Sequence, residues 1–353
     1  MTSPPPRRRG QPSRRTIGRS LAVLITLLLA AIGAGRLAAV SPLLDLASHF
    51  QPHYLAAALL LLLLGVALRL WRCAVAAAIC VALTAPRVLP WYLPHANPAS
   101  TGHGPTIRVI LANVLRANQR HDQLLALVRQ WKPDVLVLLE IDERWLHALA
   151  PLTDRMPYSI SEPRDDHFGI AVVSRLPLHH DEIATLGSAG VRSIVCEIEL
   201  ENTRATLIAT HPLPPLPVGR APLRDEQLLA VARRASRVTG PAVLIGDLNA
   251  TMWSRPYRQL TRQTDLVNAR RGCGILPTWP ASFPPFMRIP IDHCLHSRDI
   301  HALRCVTGQP IGSDHLPLIV DLALPPNRGS AAHPCPPPEH GPQPLPITFA
   351  FEQ

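Results

Sequence analysis

The segment Gly312-Ser313-Asp314-His315-Leu316-Pro317 constrains the fold more than any other part of this 353-residue chain. It follows a series of short apolar runs and places an acidic residue beside a histidine just before the last of them. Asp-His pairs are common on protein surfaces, so this segment gains meaning only together with similar turns earlier in the chain. Those turns carry similar polar residues, and together they predict an active site.

Polar residues of the same kinds stand where several earlier apolar runs give way to turns. Carboxylates, amides and imidazoles recur in a fixed order along two hundred residues, as Asn113 in Ile-Leu-Ala-Asn, Glu140 in Val-Leu-Leu-Glu, His211 in Ala-Thr-His-Pro, Asp247 and Asn249 in Gly-Asp-Leu-Asn, Asp292 and His293 in Ile-Asp-His-Cys, then Asp314 and His315. Hydrolysis of a phosphate ester needs neutralisation of phosphoryl charge, a positioned water and a stabilised leaving oxygen, and such groups can supply all three. The set therefore indicates a metal-assisted phosphoester hydrolase.

Each residue also has a simpler interpretation. Glu140 can hold a hard cation, since a carboxylate that ends an apolar strand needs a counter-charge, or it can be a solvated strand-end residue. Asp247 and Asn249 share a face if the strand continues through them, yet Asp-x-Asn is also an ordinary Asx-turn signal. We predict that Asp292 pairs with His315 and fixes its tautomer. His211 fits either a catalytic group or a turn histidine.

The soluble part alternates short apolar runs with polar turns. These predict strands over 107–111, 134–139, 169–174, 193–200, 205–210, 242–245, 291–296, 302–306 and 318–322, with helices over 121–131 and 223–238. So many strands with few helices favour an α/β sandwich of two mostly antiparallel sheets, packed face to face with helices outside. The polar strand ends are expected to converge on one edge.

The order of these motifs over 107–324 resembles the endonuclease/exonuclease/phosphatase (DNase I-like) superfamily. That resemblance implies a four-layered α/β sandwich and Mg²⁺, with Mn²⁺ as an alternative, held by Glu140 with Asn113 and Asp314 around the metal. It also implies that Asp247 orients or deprotonates the attacking water and that Asn249 holds a phosphate oxygen. Asp292 and His315 would contact the phosphate, and His211 would bind it or assist the leaving group.

Two positions depart from the usual pattern of this superfamily. Leu139 stands where a Gln often precedes the metal-binding Glu, and Ile170 stands where many relatives have Asn. Neither change removes a catalytic group, but both argue against the DNA-repair branch. His167 is interpreted as a surface-loop histidine, with membership of the site as the alternative.

The first hundred residues contain three long apolar runs, at about 21–40, 54–68 and 73–94. Each approaches the ~20 residues that cross a bilayer. We predict a cytoplasmic Arg-rich tail over 1–18, about three transmembrane helices over 19–94, a linker over 95–105, the hydrolase domain over 106–325 and a Pro-rich disordered tail over 326–353. A cleaved signal peptide is the alternative for the first run.

Arginines indicate the orientation in the membrane. They precede the first run and occupy the turn Arg69–Arg72 between the second and third, whereas 41–53 contains no Lys or Arg. The positive-inside rule then places the N-terminus in the cytoplasm and the hydrolase domain outside the cell membrane. The formal charge of +10 comes largely from the N-terminal tail, so it does not by itself indicate a nucleic-acid partner.

The substrate stays open between several hypotheses. A tethered domain can reach lipid-linked phosphate or pyrophosphate, and the architecture resembles actinobacterial membrane proteins linked to glycopeptide resistance, which implies such a substrate. An extracytoplasmic nuclease is the alternative, with a candidate DNA surface made of Arg255, Arg258, Arg262, Arg270 and Arg271 beside Trp253 and Trp279. A non-catalytic membrane-tethered binding module is the third hypothesis. No protein partner is predicted.

Cysteine usage leaves the redox state open. Of seven cysteines, Cys294 and Cys305 lie in successive predicted strands and are the pair to check for a disulfide in an exported domain, since the sequence does not fix the connectivity. Buried free thiols are the simpler interpretation.

Overall fold

The computed structural model describes residues 13–94, 104–201 and 203–326. The predicted N-terminal tail up to 12, most of the linker and most of the Pro-rich tail lie outside these ranges. Three helical segments long and apolar enough to cross a membrane come first. They consist of α1 (Arg14–Arg36), the short α2 (Pro42–Leu46) leading into α3 (Gln51–Ala67), and α4 (Trp71–Val88).

The apolar helices form an antiparallel bundle. Arg14 donates hydrogen bonds to the carbonyl oxygens of Leu68 and Arg69, so the start of α1 and the turn between α3 and α4 lie at the same end. A Cβ atom on Gly65 would stand 2.9 Å from the backbone nitrogen of Ala74, so only glycine lets α3 and α4 approach this closely. Residues 37–50 and 89–94 therefore lie at the other end, next to the rest of the chain.

The rest of the chain contains two six-stranded sheets. The first has the order β11-β12-β1-β2-β4-β3 and the second β5-β6-β7-β8-β10-β9. The strands are β1 (Thr106–Asn113), β2 (Val135–Leu139), β3 (Tyr158–Glu162), β4 (Ile170–Ser174), β5 (Leu178–Thr185), β6 (Arg192–Leu200), β7 (Thr203–Thr210), β8 (Ala242–Asp247), β9 (Val267–Asn268), β10 (Asp292–His296), β11 (His301–Thr307) and β12 (Leu318–Ala323). Each sheet has one parallel pair, β1 with β2 and β7 with β8, and antiparallel neighbours elsewhere.

Helices cover the outer faces, so the domain has four layers. The sheets pack together through alternate strand residues such as Val109, Val137, Leu207 and Ile245. The intervening residues face helices, with α5 (His121–Trp131) and α6 (Glu143–Ala148) on the first sheet. On the second sheet lie α7 (Ala221–Ala235) and α8 (Arg255–Thr264). This two-fold alternation is what places neighbouring strand residues in different layers.

The predicted sandwich is confirmed. All nine predicted strands and helix 121–131 are present within a few residues of their expected bounds. Three strands were not predicted, namely β3, β5 and β9. They are outer strands of the two sheets, and β5 in particular exposes His180 to Glu182 in place of an apolar run. Cys294 and Cys305 are both buried free thiols, and burial raises the pKa of the Cys305 thiol to about 12.

Candidate active site

The polar residues that end the apolar runs meet at one edge of the sandwich. Asn113 ends β1, Asp247 ends β8, and Asp292 begins β10 directly opposite Asp247 in the antiparallel register. Glu140 follows β2 and His211 follows β7. The parallel pairs β1–β2 and β7–β8 place the C-terminal ends of all four strands at this edge. Strand β10 is antiparallel to β8, so its N-terminal end lies there.

Glu140 lies between an amide and an imidazole. Its Oε1 accepts a hydrogen bond of 2.9 Å from Asn113 Nδ2, and its Oε2 lies 2.8 Å from His167 Nδ1. Burial raises the pKa of Glu140, but the charge of His211 and these hydrogen bonds outweigh burial and hold the pKa below its usual range. Glu140 is therefore an ionised, nearly buried carboxylate. The interpretation of Glu140 as a solvated strand-end residue does not fit this burial.

His167 lies in a surface loop, as expected, and reaches the edge of the candidate site. Its side chain is 61% exposed, yet its ring contacts Glu140. No signal in the local sequence reveals this contact, because it depends on how the 163–168 loop returns to the sheet edge. Gly169 makes the return possible, since a Cβ atom there would lie 1.8 Å from the carbonyl oxygen of Ile141.

Asp247 stands between two imidazoles. Its Oδ2 lies 3.5 Å from His211 Nε2 and 3.6 Å from His315 Nε2, and all three side chains are buried. Asn113 Nδ2 approaches the same oxygen at 3.4 Å. Burial lowers the pKa of His211, but Asp247 and Glu140 outweigh burial and raise it above its usual value. The protonated, cationic form of His211 is thus favoured.

His315 pairs with Asp292, as the sequence predicts, with 2.9 Å between Nδ1 and Asp292 Oδ2. Burial opposes the imidazolium, but the charges of Asp292 and Asp247 raise the pKa of His315 to about 10. Burial likewise opposes ionisation of Asp292, whose pKa is lowered by the charge and the hydrogen bond of His315. At neutral pH this pair is an imidazolium–carboxylate pair.

Asn249 lies in an Asx turn beyond the end of β8. The strand stops at Asp247, so the two residues do not share a strand face as one interpretation required. Asp247 Oδ1 accepts a hydrogen bond of 2.9 Å from the backbone nitrogen of Asn249, whose φ is +48°. The Asn249 amide donates to the carbonyl oxygen of Pro212 at 2.9 Å. The turn fastens Asn249 to the loop that follows His211.

The segment 312–315 closes the site from the opposite sheet. Ser313 Oγ donates to the carbonyl oxygen of Asn113 at 2.7 Å and accepts from the backbone nitrogen of His315 at 3.1 Å. Trp279 Nε1 donates to Asp314 Oδ2 at 3.1 Å, while Asp314 Oδ1 is buried without a hydrogen-bond partner among the described residues. Ser313 and Trp279 therefore orient the Asp-His dipeptide.

Several residues that the sequence singled out lie elsewhere. His293 points away from Asp292 by strand alternation, hydrogen-bonds Ala250 and Asn268, and has a pKa lowered to about 3 by burial and Arg270. Arg270 is fully buried, and Trp253 is buried with Nε1 bonded to the carbonyl oxygen of Arg87. These two residues cannot contribute to an exposed DNA-tracking surface.

A family model described as the endonuclease/exonuclease/phosphatase family matches residues 103–315, more than half of the chain. The chain belongs to this family. No curated protein sequence matches closely enough to be reported as a relative.

Solved structures of this family's fold agree with that assignment. D. rerio TDP2 complexed with single strand DNA product has a TM-score of 0.54 and 13% identity, covering 62% of this chain and 98% of that one. An endonuclease/exonuclease/phosphatase from Bacteroides vulgatus has a TM-score of 0.53 and 17% identity, covering 62% and 99%. The human Nocturnin catalytic domain with bound sulfate anion has 0.52 and 19%, covering 62% and 95%. At these identities the likeness establishes the fold alone.

Enzymes of the endonuclease/exonuclease/phosphatase family typically use divalent metals, and the residues present fit such an ion. Four carboxylates gather here, Glu140, Asp247, Asp292 and Asp314, against two imidazoles with raised pKa, His211 and His315. The excess negative charge and the unpartnered Asp314 Oδ1 call for a cation. Oxygen donors of this kind suit a hard divalent ion.

Two donor groups are available for that ion. The predicted set is Glu140, Asn113 and Asp314, whereas the ligand atoms of Asp247, Asp292 and His315 lie within 4.8 Å of one another. In the second group His315 Nδ1 is committed to Asp292 and its pKa is raised, so it would have to lose a proton before binding a metal. The set of Glu140, Asn113 and Asp314 stays a prediction.

Proposed function

We propose that this protein is a membrane-anchored, metal-dependent phosphoester hydrolase that acts outside the cytoplasmic membrane on a lipid-linked phosphate or pyrophosphate. The observation that carries the proposal is the position of the active-site loop. Arg224 donates to the carbonyl oxygen of Asn249 at 3.1 Å and lies 3.5 Å from Asp45 in the segment between α1 and α3. The side chains of Arg224 and Asp45 thus connect the catalytic loop to the segment between the first two membrane helices.

A second loop beside the site supports a lipid substrate. The segment Pro280–Met287 exposes Phe283, Phe286 and Met287, and Phe286 is 75% exposed. The backbone of Phe286 lies beside the His53 ring of α3, near the domain-side end of that helix. At its other end, the backbone nitrogen of Ala281 donates to the carbonyl oxygen of Asp314 at 2.7 Å. Exposed aromatic side chains at this level suit the headgroup zone of a bilayer.

The distribution of arginine supports an extracytoplasmic domain. Arg14, Arg15, Arg19, Arg69 and Arg72 lie at the helix ends remote from the hydrolase, and Arg36 and Arg87 lie at the near ends. The excess of positive charge at the remote end marks that end as cytoplasmic. Fusions of an enzyme that folds only in the periplasm or only in the cytoplasm, placed after residue 94, measure the side directly.

The side chains suggest how the ester bond is broken. Asp247 holds the attacking water and accepts its proton, as the carboxylate between two imidazoles. The raised pKa values of His211 and His315 make both residues cationic partners for phosphoryl oxygens, and they make His211 able to give a proton to the leaving oxygen. Bound Mg²⁺ or Mn²⁺ would add Lewis-acid neutralisation of the phosphate, held by Glu140, Asn113 and Asp314.

The experiment is product release by the full chain, purified in detergent with Mg²⁺. A polyprenyl pyrophosphate and a DNA duplex are offered in parallel, and Asp247→Asn protein serves as the blank. Release from the lipid alone, lost in Asp247→Asn and Glu140→Gln proteins by about 100-fold or more, is the expected result. Cleavage of DNA alone would make the protein a nuclease, and no release from either would favour a binding module.

The exposed loop provides a sharper test of the lipid substrate. Phe286→Ser protein should lose activity on bilayer-embedded substrate and keep it on a soluble nitrophenyl phosphodiester. Tyr158→Ser is the matched control, because Tyr158 is an exposed aromatic residue far from the membrane helices. It lies in the edge strand β3, whereas the strand near the helices is β9, at the opposite edge of the sandwich. Equal losses on both substrates would instead indicate a structural role for Phe286.

A further inference from the structure

A separate cavity of about 570 Å³ lies between the domain-side end of α4 and the hydrolase domain. Its walls come from Pro86 to Trp91 on one side and from α8 and its flanking residues on the other. The volume is ample for the headgroup of one phospholipid, since small-molecule sites occupy roughly 300–1,000 Å³. None of the residues assigned to the active site lines it.

The cavity is lined by four arginines and no acidic residue: Arg87, Arg258, Arg271 and Arg298. Within 13–94, 104–201 and 203–326, no carboxylate lies within ion-pair distance of Arg87, Arg258 or Arg271. Arg87 and Arg258 are partly buried, and the charge of Arg258 acts on Arg87, while the nearest carboxylate that acts on Arg258 is the more distant Asp45. Like charges brought together out of water are costly unless an anion joins them.

The position of the cavity indicates the source of that anion. Trp91 forms one wall, and Arg271 stacks on its ring with the guanidinium carbon 4.4 Å from the centroid. Backbone nitrogens of Gly272 and Gly274 donate to the carbonyl oxygen of Trp91 at 3.1 and 2.9 Å. A tryptophan at the end of an apolar helix lies at headgroup level, where the phosphates of the bilayer also lie. Guanidinium groups bind phosphate oxygens in pairs.

We propose that this cavity binds the phosphate headgroup of an anionic phospholipid from the leaflet on the hydrolase side. The lipid would fasten the helix bundle to the segment that follows the catalytic turn, because Met252 and Trp253 also line the cavity. This proposal does not depend on the catalytic one. A protein without hydrolase activity would bind the same lipid.

The test is thermal unfolding of the full chain in detergent, titrated with phosphatidylglycerol, phosphatidylcholine or inorganic phosphate at equal phosphate concentration. Binding to the folded state alone raises Tm with ligand concentration. We expect phosphatidylglycerol to raise Tm by several degrees and the other two to have little effect. In Arg87→Gln/Arg258→Gln protein, the phosphatidylglycerol concentration that gives half the shift should increase about tenfold.

Arg129→Gln/Arg304→Gln is the matched control, since it removes the same charge from α5 and from the outer strand β11. Arg15, Arg19 and Arg72 at the remote end of the bundle are unchanged in all these proteins, so anionic lipid bound there would affect each of them equally. If the double variant does not fold, Arg271→Gln alone should weaken the response about threefold. An unchanged response in the folded arginine variants would overturn the proposal, as would an equal response to inorganic phosphate, which would make free phosphate the ligand.

Discussion

At the scale of single residues, the site depends on charges that are unusual for buried groups. His315 has a pKa of about 10, against about 6.5 in an unfolded chain, because it lies between Asp292 and Asp247. A proton bound more tightly in the folded state stabilises that state. This contribution is complete below the unfolded pKa, decreases as the pH rises above it, and is lost once the pH passes the folded pKa.

We therefore expect Tm to fall between pH 7 and pH 10, with a loss in unfolding free energy on the order of a few kcal/mol. Asp292→Asn removes the main partner of His315, so its protein should start from a lower Tm and show a shallower decline over the same range. Differential scanning calorimetry at fixed ionic strength measures both slopes. Parallel declines in the two proteins would contradict the assignment of an imidazolium to His315.

The surplus of carboxylates gives a second prediction at this scale. Mg²⁺ should raise Tm in the wild-type protein, because it offsets repulsion among Glu140, Asp247 and Asp314, and a chelator should reverse the shift. Glu140→Gln protein should start with a lower Tm in chelator, because it loses the attraction to His211 and the contact with His167 that hold the pKa of Glu140 low, and it should lose most of the Mg²⁺ response. His121→Gln serves as a control on a helix of the outer layer. A full Mg²⁺ response in Glu140→Gln protein would exclude Glu140 as the main ligand.

At the scale of secondary-structure elements, Gly169 and Gly246 let a loop and a strand approach their neighbours at the active-site edge. The residue preceding Asp247 in β8 is Gly246, and a Cβ atom there would lie 1.8 Å from the carbonyl oxygen of Thr210 in β7. Since that oxygen belongs to the backbone of the parallel neighbour, the strands would have to separate. His211 follows Thr210 directly, so the distance between His211 and Asp247 depends on this contact.

Gly246→Ala is expected to destabilise the domain by about 2–3 kcal/mol and to reduce kcat much more than KM. Gly219→Ala is the matched control, because nothing lies within 4 Å of its Cβ position. Chemical unfolding and steady-state kinetics of both proteins provide the measurements. Wild-type kinetics in a folded Gly246→Ala protein would show that the β7–β8 spacing does not set the site geometry.

Elements were predictable from the sequence where one physical signal dominated. Buried strands such as β2 and β8 are unbroken apolar runs, so Glu140 and Asp247 could be placed at their ends. Outer strand β5 alternates too weakly to be read, and the loop that brings His167 to Glu140 depends on a contact between distant residues. The inward direction of Asp292 and the outward direction of His293 follow from strand alternation once the register is known, and sequence alone does not supply that register.

At the scale of the whole molecule, the helix bundle and the hydrolase domain form one packed body. Leu55, Val88 and Trp91 of the bundle belong to the same apolar cluster as Leu248 and Trp253 of the domain. The domain is therefore fixed against the bundle through packed side chains of both. Polar contacts strengthen this fixing, with His49 Nδ1 lying 3.0 Å from Thr251 Oγ1.

Asp45 is the charged residue on which this arrangement depends most. Its Oδ1 accepts from the backbone nitrogen of Arg255 at 2.8 Å, and its Oδ2 pairs with buried Arg224. In Asp45→Asn protein, Arg224 would keep its ion pair with Asp225 and lose the one with Asp45. We expect this change to lower the free energy of unfolding by about 1–3 kcal/mol. Because Arg224 also holds the carbonyl oxygen of Asn249, the same change should lower kcat.

A double-mutant cycle separates the two effects. Asp45→Asn and Arg224→Gln are measured singly and together, with Asp225→Asn as a control that removes the other carboxylate of the same arginine. If Asp45 acts on catalysis through Arg224, the second change adds little loss of kcat to the first, and a coupling energy of about 1 kcal/mol or more appears in both stability and kcat. Additive losses would mean that the bundle anchors the domain without influencing its active site. Coupled losses would make the membrane helices a structural part of the catalytic loop, because the position of Asn249 would then depend on a carboxylate between α1 and α3.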